Sequence, residues 1–287
     1  MEALIHMNKS LDYIERHLDD EITMEKAAAI ACMSKFHFQR MFLMVTGVTP
    51  GDYVRKRRLT IAAQELANSN VKIIDVALKY GYETPESFSK AFKKAHGMSP
   101  SEVRKAECVL KAYPRISFQI QLKGAKAMNY RFIEKEAFPV VGKAIKLSTA
   151  KSAQQGEISK FWQEANQTNG LNEQLEPLTG SMGFLGICMD FNQEQETMSY
   201  MIAAEKPEGF RNSGLEERII PPRKWTVFES NGPMPHAIQE VWGRIFGEWF
   251  PSTGYELAEG PELEVYPAGD PYSDDYRCEV WIPIIKK

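Results

Sequence analysis

The chain has 287 residues, 25% of them charged and 43% hydrophobic, with a formal net charge of −3, which leaves room for about two domains each able to bury a core. No stretch approaches the ~20 apolar residues of a membrane span, and the opening MEALIHMNKS lacks the apolar centre of a signal peptide. The four cysteines, Cys32, Cys108, Cys188 and Cys278, show no CxxC spacing, which argues against a zinc or disulfide framework and for a cytoplasmic protein.

Charge is uneven along the chain. Residues 1–107 carry 16 Lys and Arg against 14 Asp and Glu, and the remainder carries 19 against 24. The bases of the first part cluster at Arg55, Lys56, Arg57 and Arg58, and again at Lys90, Lys93 and Lys94. Such placement matters more to a polyanionic partner than the total does.

Leu4, Met7, Leu11, Ile14 and Leu18 share one helical stripe and mark a packing helix. Ile22 to Cys32 follows as the first helix of a pair, and Ser34 caps the second, KFHFQRMFLMVTG. Phe38, Met41, Phe42 and Val45 form its inward face, leaving Lys35, Phe36, Gln39 and Arg40 pointing away. An arginine can fork onto guanine and a glutamine onto adenine in a major groove, and Phe36 can press on a thymine methyl. Plain solvated side chains would fit the same positions. Thr49, Pro50 and Asp52 then open a helix of about 18 residues, ~27 Å long.

From Ile74 to Pro100 the pattern returns. Gly81 supplies a turn, Thr84 an N-cap and Pro85 the first helical position. Phe88, Ala91, Phe92 and Ala95 mark the buried face, while Ser87, Ser89, Lys90, Lys93 and Lys94 lie elsewhere. Shifted by 50 residues, Ala27 matches Ala77, Phe38 matches Phe88, Arg40 matches Lys90, Phe42 matches Phe92, and Gly47 and Pro50 match Gly97 and Pro100. Two helix-turn-helix units on a rigid link of ~27 Å can reach successive major grooves, ~34 Å apart on one DNA face. Lys93 and Lys94, late in the second recognition helix, suit phosphates rather than bases. Ser99, Pro100 and Glu102 form a capping box for a short helix that fades after Arg104.

SKFHFQRMF…TGVTPGDYVRKRRL and VALKYGYETPESFSKAFKKAHGMSPSEVRK together closely resemble the AraC-type DNA-binding domain, over about residues 1–107. The resemblance implies a transcription regulator with two recognition helices in adjacent major grooves of double-stranded DNA, and RNA polymerase as a further partner. By position it carries base contact to Phe36, Gln39 and Arg40, with Lys35 beside them, and to Pro85, Glu86 and Lys90. Pro85 and Glu86 depart from good base readers, although a glutamate can accept from cytosine N4.

After Val109 the pattern changes. Residues 108–124 show no clear core and read as a connector, with a seam at Gly124 and a second domain over 125–287. NYRFIEKEAFPVVGKAIKL reads as strand, EISKFWQEANQ as helix, and GSMGFLGICMDF and TMSYMIAAEKP as strands. The order then recurs with EERIIPPRKWTVFESNG, PHAIQEVWGRIFGEWFPSTG, PELEVYPAG and YRCEVWIPII. An all-α N-terminal domain of two helix-turn-helix units joined by a long helix is thus followed by an α+β domain. The second domain is built as two strand–helix–strand–strand halves with a pseudo-twofold relation.

This second half resembles the GyrI-like effector-binding family, through its halves, RKWTVFESNGP…IQEVWGRIFGEWFP and the final E-x-W-x-P strand. The family binds small, often cationic and aromatic molecules in a cleft with an acidic residue inside. Period 2 independently puts Arg277, Glu279 and Trp281 on one face of the last strand, and Glu264 and Tyr266 on one face of the preceding one. Carboxylates beside aromatic rings suit an organic cation, so Glu279, with Trp281, Tyr266 and Glu264, is the expected anchor. The alternative is that Glu279 is exposed and Trp281 is strand packing. Trp225, Phe228, Trp242 and Trp249 read as core. Nothing implies a cofactor, a metal or a catalytic constellation. Two rivals remain: a hydrolase using Glu279 with Tyr266, as some members of the family do, or a protein-interaction module behind constitutive DNA binding.

Overall fold

The computed structural model describes residues 2–103, 110–117, 127–148, 154–168, 170–192, 197–211 and 214–286. Arg104, Cys108, Gly124 and the side chain of Leu4, all named above, lie outside the described residues. Met1–Phe42 and Val48–Gln121 make up one compact unit, and Leu122 onward is the body of the other.

The first unit is all helical: α1 (Glu2–Arg16), α2 (Met24–Ile30), α3 (Lys35–Thr46), α4 (Pro50–Asn68), α5 (Ile73–Lys79) and α6 (Pro85–His96). Its boundaries follow local chemistry. Ser34 Oγ accepts from His37 N (3.2 Å), Thr49 Oγ1 from Asp52 N (3.1 Å) and Thr84 Oγ1 from Ser87 N (3.1 Å), satisfying donors that a helix start leaves unpaired. Gly97, at φ +81, closes α6 with its N–H on Lys93 O, a left-handed cap that glycine adopts without strain. The Ser99–Glu102 capping box forms, with Ser99 N donating to Glu102 Oε2 at 2.7 Å.

The repeat is real but not uniform. α3 and α6 are offset by 50 residues, whereas α2 and α5 are offset by 49. Ala27 and Ala28 are therefore the counterparts of Val76 and Ala77, not Ala27 of Ala77. The left-handed turn residue matching Gly81 (φ +80) is Cys32 (φ +55). The second turn simply holds one residue more.

The basic run on α4 faces the unit's own carboxylates and carbonyls. Arg55 and Lys56 ion-pair with Asp52. Arg58 donates to Leu18 O and Asp20 O. Arg57 grips Glu15 of α1 with two bonds of 2.8 Å, and Tyr53 donates to the same carboxylate at 2.6 Å. Arg57 also donates to Tyr113 O, Tyr113 N to Thr60 Oγ1, and Ile116 N to Tyr53 OH. Residues 110–117, within the expected connector, are thus laced along α4. Breaking the largely buried Glu15–Arg57 pair from one side would cost about 3–5 kcal/mol, because the other charge stays buried.

The second unit is one antiparallel sheet with its helices. Its elements are β1 (Tyr130–Lys135), β2 (Phe138–Ser148), α7 (Gln154–Ala165), α8 (Leu171–Leu175), β3 (Phe184–Asn192), β4 (Thr197–Glu205), β5 (Glu216–Ile220), β6 (Arg223–Asn231), α9 (His236–Arg244), β7 (Tyr255–Leu257), β8 (Glu262–Tyr266) and β9 (Arg277–Lys286). The strand order is β1-β6-β9-β8-β3-β4-β2-β5, with β7 on β9. Each half's first expected strand is broken in two, at Glu136–Ala137 and at Pro221–Pro222. The pieces part company: β1 pairs with β6 and β5 with β2, so each half lends its first strand to the other. The order reads alike from both edges, with β8 and β3 adjacent at the centre.

The two faces of this sheet differ. One carries Trp225, Val227, Trp281, Leu263, Val265, Leu185, Ile187, Met201, Val140 and Ile220, packed into a single core that, among the described residues, takes its members from strands and one turn. On the other face lie the helices. Phe161 and Trp162 of α7 and Leu171 of α8 pack against Tyr200, Ile202 and Cys188, and α9 packs on β6 and β9.

Candidate functional site

Two sets of residues carry chemistry that packing does not explain. On α3, Lys35, Gln39 and Arg40 are half-exposed, and Lys35 ion-pairs with Glu25 at 2.5 Å. Phe36 is a correction: it is 7% exposed and belongs to the core, while Val45, expected inward, is 40% exposed. Helical period gives the direction of a side chain but not where the neighbouring elements end. Phe36 in the first turn is covered, and Val45 in the last turn is not. On α6, Glu86, Lys90, Lys93 and Lys94 are exposed and Pro85 half-exposed. Both helices thus present short polar and basic faces, whereas the α4 bases are paired within the unit.

The second set surrounds Glu264, on β8 at the centre of the sheet. Three neutral donors reach its carboxylate. Trp242 Nε1 of α9 donates to Oε1 at 2.8 Å, and Tyr200 OH of β4 and Tyr266 OH of β8 donate to Oε2 at 2.8 and 3.0 Å. Trp162 Nε1 of α7 donates to Tyr200 OH at 2.8 Å, and the Trp162 ring meets Tyr266 edge-on at 5.3 Å. Each half's helix therefore sends one tryptophan to the cluster, Trp242 to the acid itself and Trp162 to Tyr200. Gly186 of β3 leaves the space: a Cβ there would lie 2.3 Å from Tyr200 OH and 2.8 Å from Glu264 Oε2.

Burial raises the pKa of the Glu264 carboxyl against the lowering effect of its three hydrogen bonds. Burial, and then the nearby Glu264 charge, hold the Tyr200 and Tyr266 phenols well above the usual tyrosine range. Both stay protonated as donors. Among the described residues no cationic side chain ion-pairs with Glu264. The carboxylate is thus held by neutral N–H and O–H donors, with Glu262 adding to the negative field around it.

Glu279 and Trp281 are not part of this cluster. The register sets Val265 opposite Glu279 and Glu264 opposite Val280, so Glu264 and Glu279 point to opposite faces. Glu279 ion-pairs with Arg131 at 2.8 Å and accepts from Trp281 Nε1, and Trp281 belongs to the core of the opposite face. The expected foursome therefore splits into Glu264 with Tyr266, and Glu279 with Trp281. The acid–tyrosine pair considered for a hydrolase, Glu279 with Tyr266, is divided by the sheet. Trp242, expected in the core, is buried there at 7% exposure and also reaches Glu264 through Nε1. Tyr200 and Trp162 were missed, since they come from β4 and α7 and nothing local to β8 points to them.

A model of the GyrI-like small molecule binding domain matches residues 128–285, over half of the chain. The chain belongs to the GyrI-like small molecule binding family. A helix-turn-helix domain matches residues 27–106, ahead of the GyrI-like domain. The right origin-binding protein of Escherichia coli K12 is 27% identical over 285 residues, 96% of each chain. The HTH-type transcriptional activator AarP of Providencia stuartii is 38% identical over 98 residues, 34% of this chain and 73% of its own. A solved structure of SAV2435 bound to tetraphenylphosphonium is 27% identical, covers 55% of this chain and 94% of that one, and has a TM-score of 0.49. The chain is an AraC-type DNA-binding regulator with a GyrI-like effector domain. None of its described helices is long and apolar enough to cross a membrane.

Proposed function

We propose that this regulator acts on DNA in the cytoplasm and takes a monovalent organic cation with an apolar or aromatic body as its effector. In this reading Glu264 is the anchor and Trp162, Tyr200, Trp242 and Tyr266 form the walls. The observation that supports it is a half-buried carboxylate whose three hydrogen-bond partners are all neutral. A bound cation would relieve the cost of that uncompensated charge, and the rings would add cation–π attraction. In this reading the site is a receptor, and the two phenols serve as hydrogen-bond donors to Glu264. RNA polymerase is the natural further partner of such a regulator.

The direct test is calorimetric titration with tetraphenylphosphonium and with tetraphenylborate, which share shape and differ in sign. Binding of the cation alone supports the reading, and equal binding of the anion refutes it. On the DNA side, Lys35, Gln39 and Arg40 of α3 and Glu86, Lys90, Lys93 and Lys94 of α6 are the proposed contacts. Arg40→Ala should weaken binding to a selected operator by about 1–3 kcal/mol and relax preference at one base pair. Unchanged affinity and preference in a binding titration would remove Arg40 from the set.

A further inference from the structure

Within the helical unit, α4 joins the two helix-turn-helix pairs, and each pair leans on its own stretch of that helix. Phe42 of α3 packs on Tyr53, with ring centroids 5.7 Å apart, whereas His96 Nε2 of α6 sits 3.1 Å from Leu59 O. Beside α4 the pairs stand apart across a cleft of about 540 Å³, with Ile22 and Met24 on one wall and Leu78 and Lys79 on the other. An open cleft offers no packing to fix the angle between them. Arg58, half-buried along this cleft, reaches both walls. Its Nε donates to Leu18 O at 2.8 Å and its Nη2 to Asp20 O at 2.6 Å, and Leu18 is itself buried. Its Nη1 stands so close to the α5–α6 turn that a Cβ on Gly81 would lie 2.8 Å from it. The next residue, Tyr82, meets Phe88 of α6 edge-on at 5.3 Å, so the turn carries this contact to the second recognition helix.

We infer that Arg58 is a positioning residue for DNA recognition: it braces the two helix-turn-helix pairs against each other and so sets the half-site spacing the chain accepts. This rests on the reading that α3 and α6 both enter DNA. Spacing is demanding, because one inserted base pair moves a half-site by about 3.4 Å and turns it by about 35°. A helix alone is an imperfect ruler, since long helices curve and their hydrogen bonds lengthen on one side. A guanidinium held off the helix axis resists that bending at a longer lever arm. Its donors sit in a rigid fork, and charged donors make the stronger hydrogen bonds. Both accepting carbonyls lie in the α1–α2 loop, so fork and loop move together. Gly81, lacking a Cβ, lets the fork seat against the second pair's turn.

The test measures the affinity of the full chain for a selected operator, and for versions with one base pair inserted or removed between its half-sites. The wild type should prefer the selected spacing by about tenfold or more. Arg58→Met keeps the stem and removes the fork, and should narrow that preference to about threefold or less. Arg58→Lys keeps charge and stem but offers one nitrogen to two carbonyls, and should fall between. The salt dependence of binding should stay as it is in both variants, and a flatter slope would make Arg58 a phosphate contact instead of a brace. A merely structural loss would weaken every spacing alike. That result in both variants, or a spacing preference that neither variant moves, overturns the assignment and leaves the two-groove reading standing. Indifference of the wild type to spacing overturns the two-groove reading and the brace with it.

Discussion

Glu264 and Glu279 lie on neighbouring strands of one sheet, both half-buried, and they differ in what answers their charge. Glu279 has Arg131 beside it. It stitches β9 to the edge strand β1 and keeps Trp281 Nε1 satisfied. Glu264 is answered only by neutral donors on a face roofed by helices. Residue type, strand position and aromatic neighbours are much the same for both, and the choice of face makes the difference. On one face the acid is paired with a cation of the same unit. On the other, among the described residues, it is met by neutral donors.

The sharpest way to break that contrast is Glu264→Gln, which keeps the shape and removes the charge. Affinity for tetraphenylphosphonium should fall by about 2–5 kcal/mol, as for truncating one partner of a buried charge pair. Retained affinity in calorimetry would make the two acids equivalent and end the comparison.

A pH series sharpens it further. Burial lifts the pKa of Glu264 above the ordinary 4.5, so the cation should be released on acidification at a higher pH than an ordinary carboxylate would allow. The linkage for the unliganded protein runs the other way. A folded-state pKa above the unfolded one gives a contribution that is present below the unfolded value and lost as pH rises through the folded value. Mild acid should therefore ease the apo site while it weakens the cation, and thermal melts of parent and Glu264→Gln across pH would show that dependence only in the parent. Identical profiles would count against it.

The smallest effect belongs to Glu279→Gln. Cation affinity should stay within about twofold, and stability should change by about 0–1 kcal/mol, as for a solvent-accessible ion pair. A large loss of cation binding here would return Glu279 to the site.

How far these distinctions were legible in the sequence depends on their range. Caps at Ser34, Thr49 and Thr84 and the repeated apolar spacing of α3 and α6 are local signals, and they place both recognition helices. The turn of the first unit was harder, because Cys32 occupies a left-handed position where its counterpart is Gly81. Within β8, period 2 correctly pairs Glu264 with Tyr266. Whether Glu279 joins them depends on which residue of β9 faces which of β8, and a single strand's alternation holds no information about its partner's register. Tyr200, Trp162 and Trp242 converge from three other elements, a matter of topology rather than pattern. The break at Pro221–Pro222 had a visible cause in residues that cannot donate to a ladder, whereas its counterpart at Glu136–Ala137 had none.

The reciprocal loan of β1 and β5 has a consequence for how the second unit comes to be folded. Ile133 meets Trp225, and Phe138 meets Ile220, so each half finishes its sheet only with a strand 74 to 98 residues away. Neither half is a self-sufficient piece of structure. Chain-closure entropy over such separations must be spent before the pairing returns anything. The unit should therefore mature late and all at once, and synthesis of the first half alone leaves an edge of β2 waiting for its partner.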